Sequence, residues 1–243
     1  MKYEKEIGEI RDIIENARHG VFFGGAGVST ASGIPDFRSS KGLYSDPADG
    51  AEYCLSRECL LSEPKRFFEF YREKMVYPNA QPNAAHHALA RLEERGKIKA
   101  VITQNIDGLH QKAGSKSVIE LHGTVSGAFC DRCGRAFSPA IIDEGESIPT
   151  CPVCGGTVRP DVTLYGEALP VGAFSAAKEH ISRADVLIVG GSSLTVQPAA
   201  SLVSLFSGEH LIIINYSETP YDGLCEYVIR DSLTDVLAKL AEC

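Results

Sequence analysis

The sequence predicts an α/β protein, a doubly wound parallel sheet joined to a second, smaller domain. Three observations carry this. Short apolar strands alternate with helical segments through most of the 243 residues, the pattern of a parallel sheet covered on both faces. An early strand, Val21-Phe22-Phe23, runs straight into the glycine-rich turn Gly24-Gly25-Ala26-Gly27. Two Cys-x-x-Cys pairs, Cys130/Cys133 and Cys151/Cys154, interrupt the alternation with a stretch of a different kind.

The elements follow in order. Ile7, Ile10, Ile14 and Ala17 share one face of a helix over residues 4–18, and Gly20 stands where it stops. The strand and glycine turn come next. Residues 39–62 read as a polar, turn-rich loop with Gly42, Pro47 and Gly50. Pro64 opens a helix with Phe67, Phe68, Tyr71 and Met75 at helical spacing, and a second helix near 83–95 buries Leu89 and Leu92. Strands are predicted at 100–102 and 118–121, a cysteine ribbon at 124–165, then helix 172–183, strand 186–190, helix 198–206, strand 211–214 and helix 233–240. Ser232 and Asp235 are placed to cap the last helix. The chain therefore divides into a discontinuous nucleotide-binding, Rossmann-like domain (1–40, 86–123 and 166–243) and a small domain made of a helical insert (41–85) and the ribbon (124–165).

Composition narrows the classes of partner. Hydrophobic residues make up 44% and charged residues 23%, ordinary for a soluble globular protein. A net charge of −8 with no Lys/Arg run argues against a nucleic-acid backbone as ligand. The first residues are charged throughout, and no apolar run approaches the roughly 20 residues of a membrane span. Cys54, Cys59, Cys225 and Cys243 show no pairing pattern, so a reducing, cytoplasmic location is expected.

Cys130-x-x-Cys133, seventeen residues, and Cys151-x-x-Cys154 is the spacing of a four-thiolate zinc site. Gly134 and Gly155 follow the second cysteine of each pair and suit tight turns. Four cysteines close the coordination sphere and leave no position for water, so one structural Zn2+ is expected, contributing on the order of 10–16 kcal/mol to folding the ribbon. The turn at Gly25-x-Gly27, between a strand and a helix start, is the geometry that receives a pyrophosphate. Thr30 occupies the position of the third glycine, and no strand ends in an acidic residue about twenty positions on, which disfavours a hydride-transferring dehydrogenase.

The run from Gly25 to Arg38 resembles the signature of the sirtuin family, the NAD-dependent protein deacylases. So do Thr103-Gln104-Asn105-Ile106-Asp107-Gly108-Leu109-His110, His122-Gly123, the four cysteines, Tyr165-Gly166-Glu167, Gly191-Ser192-Ser193-Leu194 and Ile214-Asn215, in the family's order and spacing. Gly24 and Ser192 stand where many relatives have Thr. The resemblance implies NAD as cofactor and acyl-lysine proteins or peptides as partners. It implies removal of the acyl group, giving nicotinamide, O-acyl-ADP-ribose and free lysine. His122 becomes the general base, an assignment that suits a neutral imidazole at pH 7. Asn105 and Asp107 alternate on one extended stretch and meet the nicotinamide carboxamide and ribose hydroxyls.

The resemblance places Asp36 and Phe37 beside nicotinamide and Arg38 on the phosphates or ribose. Gly25, Ala26, Gly27, Thr30, Gln104 and Ile106 line the NAD path, as do Gly191, Ser192 and Ser193. Asn215, Tyr216 and Asp231 fall on the adenine side. Tyr165, Gly166, Glu167 and Val196 are expected along the peptide, pairing with its extended backbone. Tyr71 and Lys74 occupy the positions at which relatives that remove acidic acyl groups place Tyr and Arg, and a lysine point charge in place of a bidentate fork predicts a neutral acyl group, acetyl first.

Two other readings differ in reaction or class. A protein mono-ADP-ribosyltransferase would share the NAD site but yield no O-acyl-ADP-ribose, and a non-catalytic NAD or zinc interaction module would have no need of a base at His122. His110 reads as structural, and His19, His87, His180 and His210 as satisfied core histidines.

Overall fold

The structure is a computed structural model that describes residues 2–36, 42, 50–143 and 148–242. Its main sheet has six parallel strands in the order β3-β2-β1-β7-β8-β9. These are β1 (Gly20–Gly24), β2 (Ile98–Thr103), β3 (Val118–Glu120), β7 (Val186–Gly190), β8 (His210–Ile214) and β9 (Tyr227–Ile229). Strand order runs one way from β1 and the other way from β7, so the two central, fully buried strands meet at the switch point of a doubly wound sheet.

Side-chain alternation builds a core on each face. Phe22, Ile188 and Ile212 point to the side covered by α1 (Glu4–Asn16), α5 (Ala84–Glu94) and α9 (Leu233–Leu240). Phe23, Leu187 and Ile213 point to the other side, where α8 (Val171–Arg183) and a 3-10 helix at Ala199–Leu205 supply Ile181 and Leu202. Burying each such side chain contributes about 1.5–3 kcal/mol, which is why the apolar runs of the sequence become the central strands.

A third core belongs to the small domain. It joins Phe67, Phe68 and Tyr71 of α4 (Pro64–Lys74) to Ala128, Val158 and Ile142. Ala128 and Val158 lie on β4 (Gly123–Cys130) and β6 (Val158–Val162), which with β5 (Ala136–Phe137) make an antiparallel sheet in the order β5-β4-β6.

Four expectations are corrected. The described part of the loop at 39–62 holds two short helices, α2 (Ala51–Cys54) and α3 (Arg57–Ser62), because Ser56 caps α3 by accepting from the Cys59 N–H, and Ala51, Cys54, Cys59 and Leu60 are buried. The segment at 198–206 is a 3-10 helix, in which the hydroxyls of Ser201 and Ser204 donate to carbonyls three residues back. The edge strand β9 and the one-turn helix α6 (Leu109–Ala113) are too short to show periodicity. The four histidines read as core residues are not in the core. His87 is exposed, the half-buried His19 and His180 pair at 3.2 Å, and His210 pairs with Glu226.

Candidate functional site

The carboxyl ends of β1 and β7 carry two glycine turns that pack directly on each other. Gly25 N–H donates to the Gly190 carbonyl (3.2 Å) and Gly27 N–H to the Gly191 carbonyl (2.9 Å). A Cβ at Gly27 would stand 2.7 Å from the Gly191 Cα, and one at Gly191, whose φ is +60°, would stand 2.6 Å from the Val28 nitrogen. Only hydrogen fits at either position, and the result is a flat backbone floor. Above it opens a cavity of about 770 Å³. Its size and its mix of backbone, hydroxyl, amide and carboxylate groups suit a dinucleotide with room beside it.

Gln104 follows β2 and spans the floor. Its N–H donates to the Gly24 carbonyl (3.0 Å) and its Nε2 to the Ser192 hydroxyl (2.9 Å). Asn105 and Asp107 turn towards the same buried group, as their alternation predicts. Asn105 Nδ2 donates to Ser29 Oγ (3.1 Å), and Ser29 Oγ donates to Asp107 Oδ2 (2.6 Å). The other carboxylate oxygen of Asp107 accepts from the Leu109 N–H (2.9 Å), the first free N–H of α6. Ser29 is 1% exposed and was given no role by the sequence, although it lies inside the Gly25–Arg38 run.

His122 follows β3 and is anchored on both sides. Leu121 N–H donates to the Thr103 carbonyl (2.9 Å), and the His122 carbonyl accepts from Thr163 N–H (2.9 Å). The next residue must be glycine: Gly123 has φ +75°, and a Cβ there would lie 2.1 Å from the Asp161 carbonyl oxygen. The His122 ring places Nδ1 2.9 Å from the Gln104 carbonyl oxygen. Burial lowers its pKa below the ordinary 6.5, partly offset by that carbonyl, so the ring is neutral at pH 7.

The cavity lining brings most of the expected residues together. Gly25, Ala26, Gly27, Thr30 and Asp36 form one wall. Gln104, Asn105, Ile106, Asp107 and His122 form a second. Gly191, Ser192, Ser193, Asn215, Tyr216 and Asp231 form a third, although Tyr216 is 71% exposed. Phe37 and Arg38 lie outside the described residues.

Tyr165, Gly166, Glu167 and Val196 edge the far end, beside the apolar Tyr71, Met75 and Leu169. One expectation changes here. Tyr165 does not offer its backbone to a peptide, because its N–H donates to the Leu55 carbonyl (3.0 Å) and its carbonyl accepts from Arg57 N–H (2.9 Å). The helical insert has taken both groups. Among the described residues Gly166 makes no backbone hydrogen bond, and it lines the cleft between Tyr165 and Glu167.

The four cysteines sit apart from this cavity. Their Sγ atoms all lie within 4.8 Å of one another, with Cys130–Cys154 at 3.5 Å and Cys133–Cys151 at 3.9 Å. Tetrahedral zinc with Zn–S bonds of about 2.3 Å requires S–S edges near 3.8 Å, so the donor set fits the ion. Gly134 N–H donates to the Cys130 carbonyl and Gly155 N–H to the Cys151 carbonyl, both at 2.9 Å, and both glycines have positive φ. Backbone N–H groups led by that of Cys133 lower the Cys130 thiol to about 6, towards the thiolate that a metal binds.

A model of the Sir2 family matches residues 25–198. The chain is 49% identical to an NAD-dependent protein deacetylase of Clostridium tetani, over 96% of both chains. It is 52% identical to one of Cutibacterium acnes, over 93% of both. Among solved structures, a Sir2 with a deacetylated peptide and 3'-O-acetyl ADP-ribose is similar at a TM-score of 0.89, 40% identity and 96% coverage of each chain. A Sir2 bound to a propionylated peptide is similar at 0.86, 40% identity and 97% coverage of each. Glycine floor, histidine, cysteine cluster and family match all agree: the chain belongs to the Sir2 family.

Proposed function

We propose that this protein is an NAD-dependent protein-lysine deacetylase, which consumes NAD and one water as it takes an acetyl group from a lysine side chain, and yields nicotinamide, O-acetyl-ADP-ribose and free lysine. The observation that carries the reading is the His122–Gln104 contact, which sets a basic nitrogen in the same cavity as the glycine floor and the Asn105/Asp107 pair. NAD, when bound, would supply a ribose whose bond to nicotinamide breaks and one of whose hydroxyls receives the acyl group.

The chain's own residues do the rest. The Gly25–Gly27 turn and Gly191 admit the pyrophosphate against bare backbone. Ser192 and Ser193 face it from the turn after β7, and Asn215 and Asp231 hold the adenine end. Asn105 and Asp107, held by Ser29, present an amide and a carboxylate to the nicotinamide amide and the ribose hydroxyls. His122 donates Nδ1–H to the Gln104 carbonyl, so its Nε2 takes the proton of a ribose hydroxyl.

The lysine peptide runs between Gly166 and Val196, with its acyl chain directed to the apolar end near Tyr71, Met75 and Ile106. Lys74 also lines the cavity, as a point charge and not a bidentate fork, and the apolar remainder suits an uncharged acyl group. The zinc cluster serves folding of the ribbon, and its four thiolates suit the reducing cytoplasm. Among the described residues, no helix is long and apolar enough to cross a membrane.

The test is mass spectrometry of products from an acetyl-lysine peptide and NAD. O-acetyl-ADP-ribose with stoichiometric free lysine is the expected result. ADP-ribose attached to the protein partner, with the acetyl group left in place, would refute deacetylation in favour of ADP-ribosyl transfer.

A further inference from the structure

Behind the 163–167 segment lie four charged side chains that the chemistry above does not use as a unit. Arg159, on β6, is 3% exposed. Its Nη1 and Nη2 donate to Oε1 and Oε2 of Glu167 at 2.5 and 2.9 Å. Nη2 also reaches the Val162 carbonyl (2.6 Å), and Nε the Pro160 carbonyl (3.4 Å). The Glu167 carboxylate in turn accepts from Leu164 N–H (2.9 Å), and Glu167 N–H donates to the Leu164 carbonyl (3.0 Å), closing a turn around Gly166.

Arg57, at the start of α3, makes the second half of the cluster. It donates both terminal nitrogens to Asp131 at 2.7 Å and lies 3.8 Å from Glu167. Arg159 stands 4.0 Å from Asp131. Asp131 sits between two of the zinc-site cysteines, Cys130 and Cys133. Arg57, Asp131 and Arg159 line a separate cavity of about 480 Å³, and of the four only Glu167 also reaches the main cleft.

A buried guanidinium that shares both forks with one carboxylate fixes position and angle together, and a lysine cannot reproduce that. We propose that Arg159 is a positioning residue for the acyl-peptide substrate: through Glu167 it holds the Leu164–Glu167 turn so that the Gly166 backbone faces the peptide, and through Asp131 and Arg57 it ties that edge to the cysteine knuckle. The proposal rests on the deacetylase reading. It gives Glu167 an inward role, and it makes the peptide edge, not the NAD floor, the part of the site that depends on the ribbon.

The experiment is steady-state kinetics of the whole protein with acetyl-lysine peptide and NAD, comparing wild type, Arg159→Lys, Glu167→Gln and the double variant, with bound zinc measured on each. Peptide KM is expected to rise about tenfold or more in each single variant while NAD KM stays within about twofold and zinc stays at the wild-type level. The double variant should be no worse than the worse single, since either change opens the same clamp.

A merely structural role would lower kcat through a smaller active fraction and leave KM alone. Unchanged peptide KM in Glu167→Gln, which keeps the side chain's size, overturns the proposal even if Arg159→Lys accumulates poorly. A parallel rise in NAD KM overturns it too. No turnover by the wild type sinks the deacetylase reading and this proposal together, whereas wild-type turnover with unmoved peptide KM sinks this proposal alone.

Discussion

His122 Nδ1 lies 2.9 Å from the carbonyl oxygen of Gln104. A carbonyl only accepts, so Nδ1 carries the proton and Nε2 keeps its lone pair. Burial holds the pKa of the ring below 6.5. The base form therefore predominates throughout the neutral range and is lost only as pH falls through that lowered value. The acid limb of kcat/KM for the peptide is expected below about pH 6.5, the ordinary histidine value, and a midpoint above about pH 7 would contradict the assignment. His122→Ala should lower kcat by about 10²–10⁴ while leaving zinc content unchanged.

Ser29 makes a second prediction. Among the described residues it is the side chain that links Asn105 and Asp107, accepting from one and donating to the other. Ser29→Ala leaves a partly buried amide and carboxylate each short of one partner, at a cost of about 1–3 kcal/mol, and releases their common orientation. We expect kcat to fall at least about tenfold, with the larger part of the loss in kcat and not in peptide KM. Wild-type kcat in Ser29→Ala would show that Asn105 and Asp107 hold their geometry unaided.

The contrast between Ser29 and the cysteines shows what the chain's local order reveals. The Cys-x-x-Cys pairs and the strand-glycine turn are written in spacing, because each is a knuckle or a loop closed by near neighbours. Ser29 matters through partners 76 and 78 residues away, a relation no spacing displays. Arg159 is similar: nothing near it in sequence distinguishes a buried clamp from a surface arginine. Tyr165 shows the converse error. An extended stretch signals available backbone, but only the tertiary structure shows that Leu55 and Arg57 have already used it. The short α2, α3 and β9 are stabilised by burial and capping, so their sequences read as loop.

The glycine floor is tested by Gly191→Ala. The added methyl meets the Val28 nitrogen at 2.6 Å and the Gly27 carbonyl carbon at 2.7 Å, and φ of +60° is itself unfavourable for alanine. The two turns must separate, and the surface that receives the pyrophosphate goes with them. NAD affinity measured by calorimetry is expected to fall by at least about tenfold, while zinc content stays at the wild-type level, because the cysteine cluster lies outside this cavity. Unchanged NAD affinity would mean that the two turns part without disturbing the floor.

The last prediction concerns acid. His86 and His110 are buried with ring centroids 4.8 Å apart. His86 Nδ1 accepts from Asn83 N–H at the start of α5, and its Nε2, like both nitrogens of His110, has no partner among the described residues. Burial pushes His86 down to about 4 and His110 down to about 3. The fold thus keeps both neutral at pH values where the unfolded chain, titrating near the ordinary 6.5, has protonated them. The unfolded state then binds more protons, so the stability from these two rings is fully present above about pH 6.5 and is lost as pH falls towards the folded values. Each ring should add a slope of up to about 1.4 kcal/mol per pH unit to unfolding free energy in that window. His110→Leu breaks no side-chain hydrogen bond found among the described residues and removes one of the two slopes. Urea unfolding at about pH 7.5, 6 and 5 should show the variant losing less stability than wild type by about 1.4 kcal/mol per pH unit over the lower interval. Parallel pH profiles for the two proteins would show that His110 takes up a proton in the fold as readily as in the unfolded chain, and the buried pair would then have no part in acid sensitivity.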